Sequence, residues 1–126
     1  LTYLADAHLR LGQLGEAQRA AEAALERARK HGEQGHEAWA LFLLASVAAR
    51  AGASGADAVE KIFEHAIELA GALGMRPLLA YCHAGLADAC DVLGRPERAA
   101  EARARAQRIR EEIGMISPEA TASTTT

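Results

Sequence analysis

A chain of 126 residues fits one domain, and its formal net charge of −3 favours neither nucleic acid nor a membrane surface as a partner. Half of the residues are hydrophobic, but only 4% are aromatic. A broad sheet would need more valine, isoleucine, threonine and aromatic residues. Alanine, leucine, glutamate and arginine are strong helix formers, so we expect an all-α protein with closely packed helices.

Apolar residues at steps of three and four predict six helices, over about residues 1–11, 14–31, 35–51, 56–73, 77–93 and 96–113. Glycine followed by proline marks their ends and starts, as in Gly94 with Pro96 and Gly74 with Pro77. Residues 114–126 lose the period and are rich in serine, threonine and alanine, so we expect a flexible tail there.

The chain begins inside a helical pattern and without methionine, which indicates a piece of a longer protein. No signal peptide is visible in the sequence, and no run approaches the roughly 18 apolar residues of a membrane-spanning helix. We therefore expect a cytoplasmic protein without a membrane partner.

Three segments of the sequence align with one another, at residues 4–28, 43–70 and 86–109. Each reads as a helix, a tight turn and a second helix, and the turn of the middle segment is enlarged. The corresponding positions are Leu4, Leu44 and Leu86, then Gly12, Gly52 and Gly94, then Ala24, Ala66 and Ala106.

This pattern resembles the tetratricopeptide repeat, in a variant with 40 to 42 residues between equivalent positions. It is most similar to the C-terminal repeats that follow ATPase modules in bacterial adenylate-cyclase-type and transcription-activator signalling proteins. The resemblance implies a right-handed superhelical solenoid of three antiparallel helix pairs. The pairs would cover about residues 1–31, 35–73 and 77–113 of a repeat domain over 1–113.

The segment CHAGLADAC, residues 82–90, is the strongest candidate for chemistry. On one helix its two cysteines lie about 12 Å apart along the axis, too far for a disulfide. Neither cysteine has a Cys, His, Asp or Glu partner one turn away, whereas zinc needs about four converging ligands. We therefore interpret Cys82 and Cys90 as buried packing residues, and a metal or redox site as the weaker alternative.

The remaining candidates for chemistry are also weak. His31 and His36 flank a loop and are expected to be exposed, and no nucleophile elbow, HExxH or CxxC is present. The arginines of the last helix alternate with glutamates, which is typical of a polar outer face rather than of a nucleic-acid site. We expect no catalytic activity, no cofactor and no metal.

The resemblance also implies a partner-binding face, because the first helices of tetratricopeptide repeats line a concave groove. Trp39 is open to two interpretations, packing against the preceding repeat or anchoring a partner. By position, the candidate groove residues are Thr2, Asp6 and Arg10, then Trp39, Phe42, Ser46 and Arg50, then Ala84, Asp88 and Asp91.

Three functions remain open from the sequence. The first is a regulatory module that binds a protein partner, or domains of its own parent chain, through the groove. The second is an inducer sensor with a pocket around Trp39 and Phe42. The third is self-assembly, with a homodimer formed through terminal helices such as the one at residues 1–11.

Overall fold

The computed structural model describes residues 13–51 and 55–114. These residues form five α-helices and no strand, so the expected all-α class is confirmed for this part of the chain. The helices are α1 (Leu14–His31), α2 (Gln34–Ala51), α3 (Ala56–Ala72), α4 (Arg76–Val92) and α5 (Pro96–Glu112). Each of their bounds lies within one residue of the prediction. The predicted helix over 1–11, the glycines at 12 and 52, and the tail beyond 114 lie outside the described residues.

Glycine follows the end of four of these helices in the left-handed conformation, with φ between 67° and 79° at Gly32, Gly74, Gly94 and Gly114. After each of the first three glycines the next N–H bonds back to a carbonyl five residues earlier, for example from Glu33 to Ala28 over 2.8 Å. This bond satisfies a carbonyl that the helix leaves unpaired. Because only glycine adopts this conformation at little cost, the glycines of the sequence correctly predicted where these helices end.

Among the described helices, each packs against the next in the chain, and α2 also contacts α4. The links that the structure describes in full are short, such as 73–75 and 93–95. Short links between packed neighbours make successive helices antiparallel. The contact between α2 and α4 brings together two helices that the sequence assigned to equivalent positions of successive pairs.

The core is built mainly from alanine, and few large side chains are fully buried. In α5 the predicted apolar stripe is confirmed, because Ala99, Ala102, Ala106 and Ile109 are all buried. The largest side chains with almost no exposed surface are Phe63, Leu78, Val47, Val59, Cys82 and Cys90. Small side chains let the helices pack closely, and these few large residues contribute much of the apolar surface that the core buries.

Candidate functional site

A partly open groove with a cavity volume of about 530 Å³ runs between α2 and α4. We call it the α2/α4 groove. Its walls and floor are formed by residues of α2, α3 and α4, namely Phe42, Leu43, Ser46, Ala49, Arg50, Phe63, Tyr81, Ala84, Gly85, Asp88, Ala89 and Val92. Five of the residues that the sequence assigned to the concave face therefore lie together here: Phe42, Ser46, Arg50, Ala84 and Asp88.

Gly85 lines the α2/α4 groove and lies close against two of its aromatic rings. A Cβ atom at this position would stand 3.0 Å from a ring carbon of Phe63 and 3.2 Å from a ring carbon of Phe42. Such distances are tighter than ordinary van der Waals contact, so α4 approaches these two rings because residue 85 has no side chain.

Trp39 forms an aromatic cluster with two residues that line the groove, Phe42 and Tyr81. Trp39 packs edge-on against Phe42, with ring centroids 6.0 Å apart, and is tilted against Tyr81 at 6.1 Å. Trp39 does not itself line the groove. Its ring contacts are with Phe42 on its own helix and with Tyr81 on α4, and these two residues do line the groove.

The polar groups of the groove differ between its walls. On α2, the Ser46 hydroxyl donates a hydrogen bond to the Phe42 carbonyl at 2.9 Å, so its proton is used within the helix. On α4, the Asp88 side chain is 82% exposed and lies 3.4 Å from Arg103. The predicted groove residue Asp91 lies outside the lining, and its carboxylate accepts from the same Arg103 at 2.7 Å.

The structure leaves part of the predicted face undescribed. The candidate residues Thr2, Asp6 and Arg10 lie outside the described residues, as does the terminal helix that the homodimer hypothesis requires. The groove as described is therefore the part formed by the second and third predicted helix pairs.

Glu60 is a buried carboxylate on α3 that the sequence analysis did not single out. Its side chain is 6% exposed and pairs with Arg95, and with Arg98 at 2.6 Å. The thiol of Cys90 donates to the same carboxylate over 3.5 Å. Arg95 also reaches Asp57 at 3.0 Å. A charge that is buried between helices needs such partners. The cluster joins α3 to the link 93–95 and to α5.

The two cysteines are buried and free, as predicted. Burial raises the pKa of the Cys82 thiol from 9.0 to about 12. The pKa of the Cys90 thiol is also raised, by burial first and then by the hydrogen bond to Glu60 and its negative charge. The thiolate is the reactive form of cysteine, so both environments oppose nucleophilic or redox chemistry.

We expect native protein to resist alkylation by iodoacetamide at both cysteines at neutral pH, with modification appearing only as the chain unfolds in urea. Val92→Cys provides a matched positive control, because residue 92 is on the same helix and is 77% exposed. Mass spectrometry of timed samples reads out the modification. Rapid native labelling of Cys82 or Cys90, at a rate near that of the control, would contradict this assignment.

His83 is a buried histidine whose Nδ1 has no hydrogen-bond partner. Burial lowers its pKa below 6.5, and the positive charge of Arg105 lowers it further. The folded state therefore resists protonation of this ring. Below about pH 6.5 the unfolded chain takes up a proton that the folded chain refuses, so the stability contributed at neutral pH is lost as the pH falls.

His83→Leu should accordingly flatten the fall in unfolding free energy between pH 7.5 and 5.5. For one proton the slope is at most about 1.4 kcal/mol per pH unit. Urea titrations at several pH values provide the measurement, with His65→Leu, an exposed histidine on α3, as the control. A pH profile for His83→Leu that is as steep as that of the parent protein would refute the assignment.

Seven of the residues that line the groove were missed in the sequence, among them Tyr81, Gly85 and Val92. These three lie at steps of four and seven along α4 and share a face with Asp88, so helical periodicity could have found them. The burial of Glu60 could also have been predicted, because it lies between Val59 and Phe63 on an otherwise apolar stripe of α3.

The described residues contain no group of three or more His, Cys, Asp or Glu side chains that could hold a metal ion. None of the five described helices has the length and apolar character needed to cross a membrane. Comparison of the chain with protein-family models, curated proteins and solved structures gave no match.

Proposed function

We propose that this chain is a tetratricopeptide-like repeat domain that binds a protein through the α2/α4 groove and has no chemistry of its own. In this proposal the helix pairs stack as a right-handed solenoid, and the chain is a regulatory part of a larger cytoplasmic bacterial signalling protein. The occupant of the groove is either a separate partner or a domain of the parent chain.

The position of the exposed apolar side chains is the observation that carries this proposal. Among the described residues, three large hydrophobic side chains are exposed, and two of them, Tyr81 and Val92, line the α2/α4 groove. Exposed apolar groups that are gathered in one groove and edged by charges are typical of an interaction site.

Two further observations support this proposal. The helices pack in chain order, and α2 contacts α4, as we expect of a linear repeat array. The two thiols are buried, with raised pKa values, and the Ser46 hydroxyl is bonded within its own helix. These side chains offer little nucleophilic chemistry, which favours binding over catalysis.

Photo-crosslinking within cells that make the protein tests the proposal. A photoreactive amino acid at residue 92 should give a defined protein adduct, identified by mass spectrometry. The same probe at residue 26, exposed on α1, should not give that adduct because α1 does not touch α4. Equal adducts from both positions, or no adduct from residue 92, would count against the groove as the binding site.

A small-molecule sensor is the second candidate, because the cavity of about 530 Å³ has aromatic walls at Phe42 and Tyr81. This volume lies within the range of roughly 300 to 1,000 Å³ that small-molecule pockets occupy. A ligand beside Tyr81 should change the fluorescence of Trp39, whose ring centroid is 6.1 Å away. If Trp39 emission ignores a panel of metabolites, this alternative is rejected.

A further inference from the structure

His83 lies on the face of α4 that packs against α5, opposite the α2/α4 groove. It follows Ala80 by one turn and precedes Ala87 by one turn, so the three residues share this face. Ala80 packs in one cluster with Ile109 of α5, and Ala87 packs in another with Ala102. Among the described helices, α5 packs against α4 alone. His83 therefore lies in the middle of the helix contact that holds α5.

The surroundings of the His83 ring suit its neutral form. The residue is 8% exposed, and its Nδ1 atom is buried without a hydrogen-bond partner in the described part of the chain. A neutral ring can leave Nδ1 without a proton, whereas a charged ring carries an N–H on both nitrogens. Protonation would therefore place a charge and an unsatisfied donor inside the contact between α4 and α5.

The nearest charge from α5 also opposes protonation of His83. The guanidinium of Arg105 repels a positively charged ring. The buried residues of α5 on either side of Arg105 are Ala102 and Ala106, whose side chains cannot accept a hydrogen bond. The face of α5 opposite His83 thus has one repelling charge and apolar neighbours.

The carboxylates on the helices around His83 are paired or exposed. On α3 the buried carboxylate of Glu60 pairs with two arginines and contacts Cys90, two turns along α4 from His83. On α2 the one carboxylate, that of Glu37, lies in the first turn and pairs with Arg29. The other acidic side chains of α3, α4 and α5 are exposed, namely Asp57, Glu64, Glu68, Asp88, Asp91, Glu97, Glu101, Glu111 and Glu112. Repulsion from α5 is therefore the main effect of charge on a protonated ring.

We propose that the contact between α4 and α5 is sensitive to pH, and that protonation of His83 in mild acid releases α5 while α1 to α3 remain folded. Carboxylates titrate near pH 4 and stay charged above about pH 5, so the ion pairs of α5 with α3 and α4 do not cause this release. Release exposes the apolar face of α4 that α5 covers, including Leu86 and Ala87. This face lies opposite the groove, so the inference does not depend on the proposed function.

Hydrogen exchange of the full chain, followed by mass spectrometry, tests this inference at pH 7.5 and 5.5, on either side of the ordinary histidine pKa of about 6.5. Each observed rate is divided by the intrinsic chemical rate at that pH, so the ratio reports the opening of each helix. Opening of residues 96–112 should increase by up to about tenfold from the higher to the lower pH. Opening of α1 and α2 should change by less than about twofold.

Four variants assign the acid response to His83. His83→Leu cannot take up a proton and should abolish the response of α5, whereas His65→Leu, at an exposed position of α3, should retain it. Arg105→Glu places a carboxylate near the ring and should lessen the response. Arg27→Glu makes the same change of charge at an exposed position of α1 and should leave the response unchanged.

Equal opening of all five described helices in acid would overturn the inference, because it would indicate unfolding of the whole domain rather than release of α5. A response of α5 that persists in His83→Leu would also overturn it, as would one that Arg105→Glu fails to lessen. NMR titration of the ring resonances provides a check that needs no variant. A midpoint for His83 that is not below that of His65 would contradict the proposal.

Discussion

Replacing Phe63 by alanine is expected to lower the free energy of unfolding by about 3 to 5 kcal/mol. The ring is 1% exposed and packs beneath Gly85 in a core whose other members are mostly alanine. Small neighbours cannot extend into the space that the ring leaves, so the cavity should stay largely open. Urea unfolding followed by circular dichroism measures the change.

Two further variants serve as controls for Phe63→Ala. Phe63→Leu retains most of the volume and should cost less than about 1.5 kcal/mol, so the effect remains measurable if the alanine variant does not fold. Val92→Ala removes an exposed apolar side chain from the adjacent helix and should change stability by less than about 0.5 kcal/mol. A loss below about 1 kcal/mol for Phe63→Ala would mean that the ring is not a main support of the core.

Glu60→Gln should destabilise the protein by about 2 kcal/mol, because it removes the charge from a buried carboxylate that two arginines and a thiol contact. The substitution retains the shape of the side chain, so the loss reports the charge and its hydrogen bonds rather than a cavity. Thermal and urea unfolding should agree on its size.

Glu64→Gln is the matched control for Glu60. Glu64 lies one turn further along α3, with its side chain 57% exposed, and is 3.6 Å from Arg98. An exposed ion pair contributes little, so this variant should lose less than about 0.5 kcal/mol. Equal losses in the two variants would show that burial does not strengthen the cluster around Glu60.

The helix boundaries could be predicted closely because their causes are local. The helix ends at Gly32, Gly74 and Gly94 need a residue in the left-handed conformation, and glycine adopts it readily. Pro96 is the first residue of α5. Such signals depend on neighbouring residues alone. The all-α class followed in the same way from composition and periodicity.

The groove could be predicted only in part, because it depends on how the helices rotate against one another. Phe42, Ser46 and Asp88 were found from equivalent positions in the aligned segments. Asp91 lies three residues beyond Asp88, about 60° around the helix axis, and this rotation takes it out of the groove lining, although both carboxylates reach Arg103 on α5. A resemblance between repeats does not give that angle.

Long-range partners were the least predictable feature. Glu60 pairs with Arg95 and Arg98, which lie more than thirty residues further along the chain. The contact requires α3 and α5 to lie on the same side of α4. Gly85 is similar, since its importance comes from Phe63 and Phe42 on two other helices.

Hydrogen exchange of the full chain, with and without the protein captured from residue 92, tests the central claim most directly. If the α2/α4 groove is the binding site, protection on binding should be concentrated in residues 42–50 and 81–92, with little change in α1. Protection confined to α1, or to the outer face of α5, would place the partner elsewhere and contradict the account.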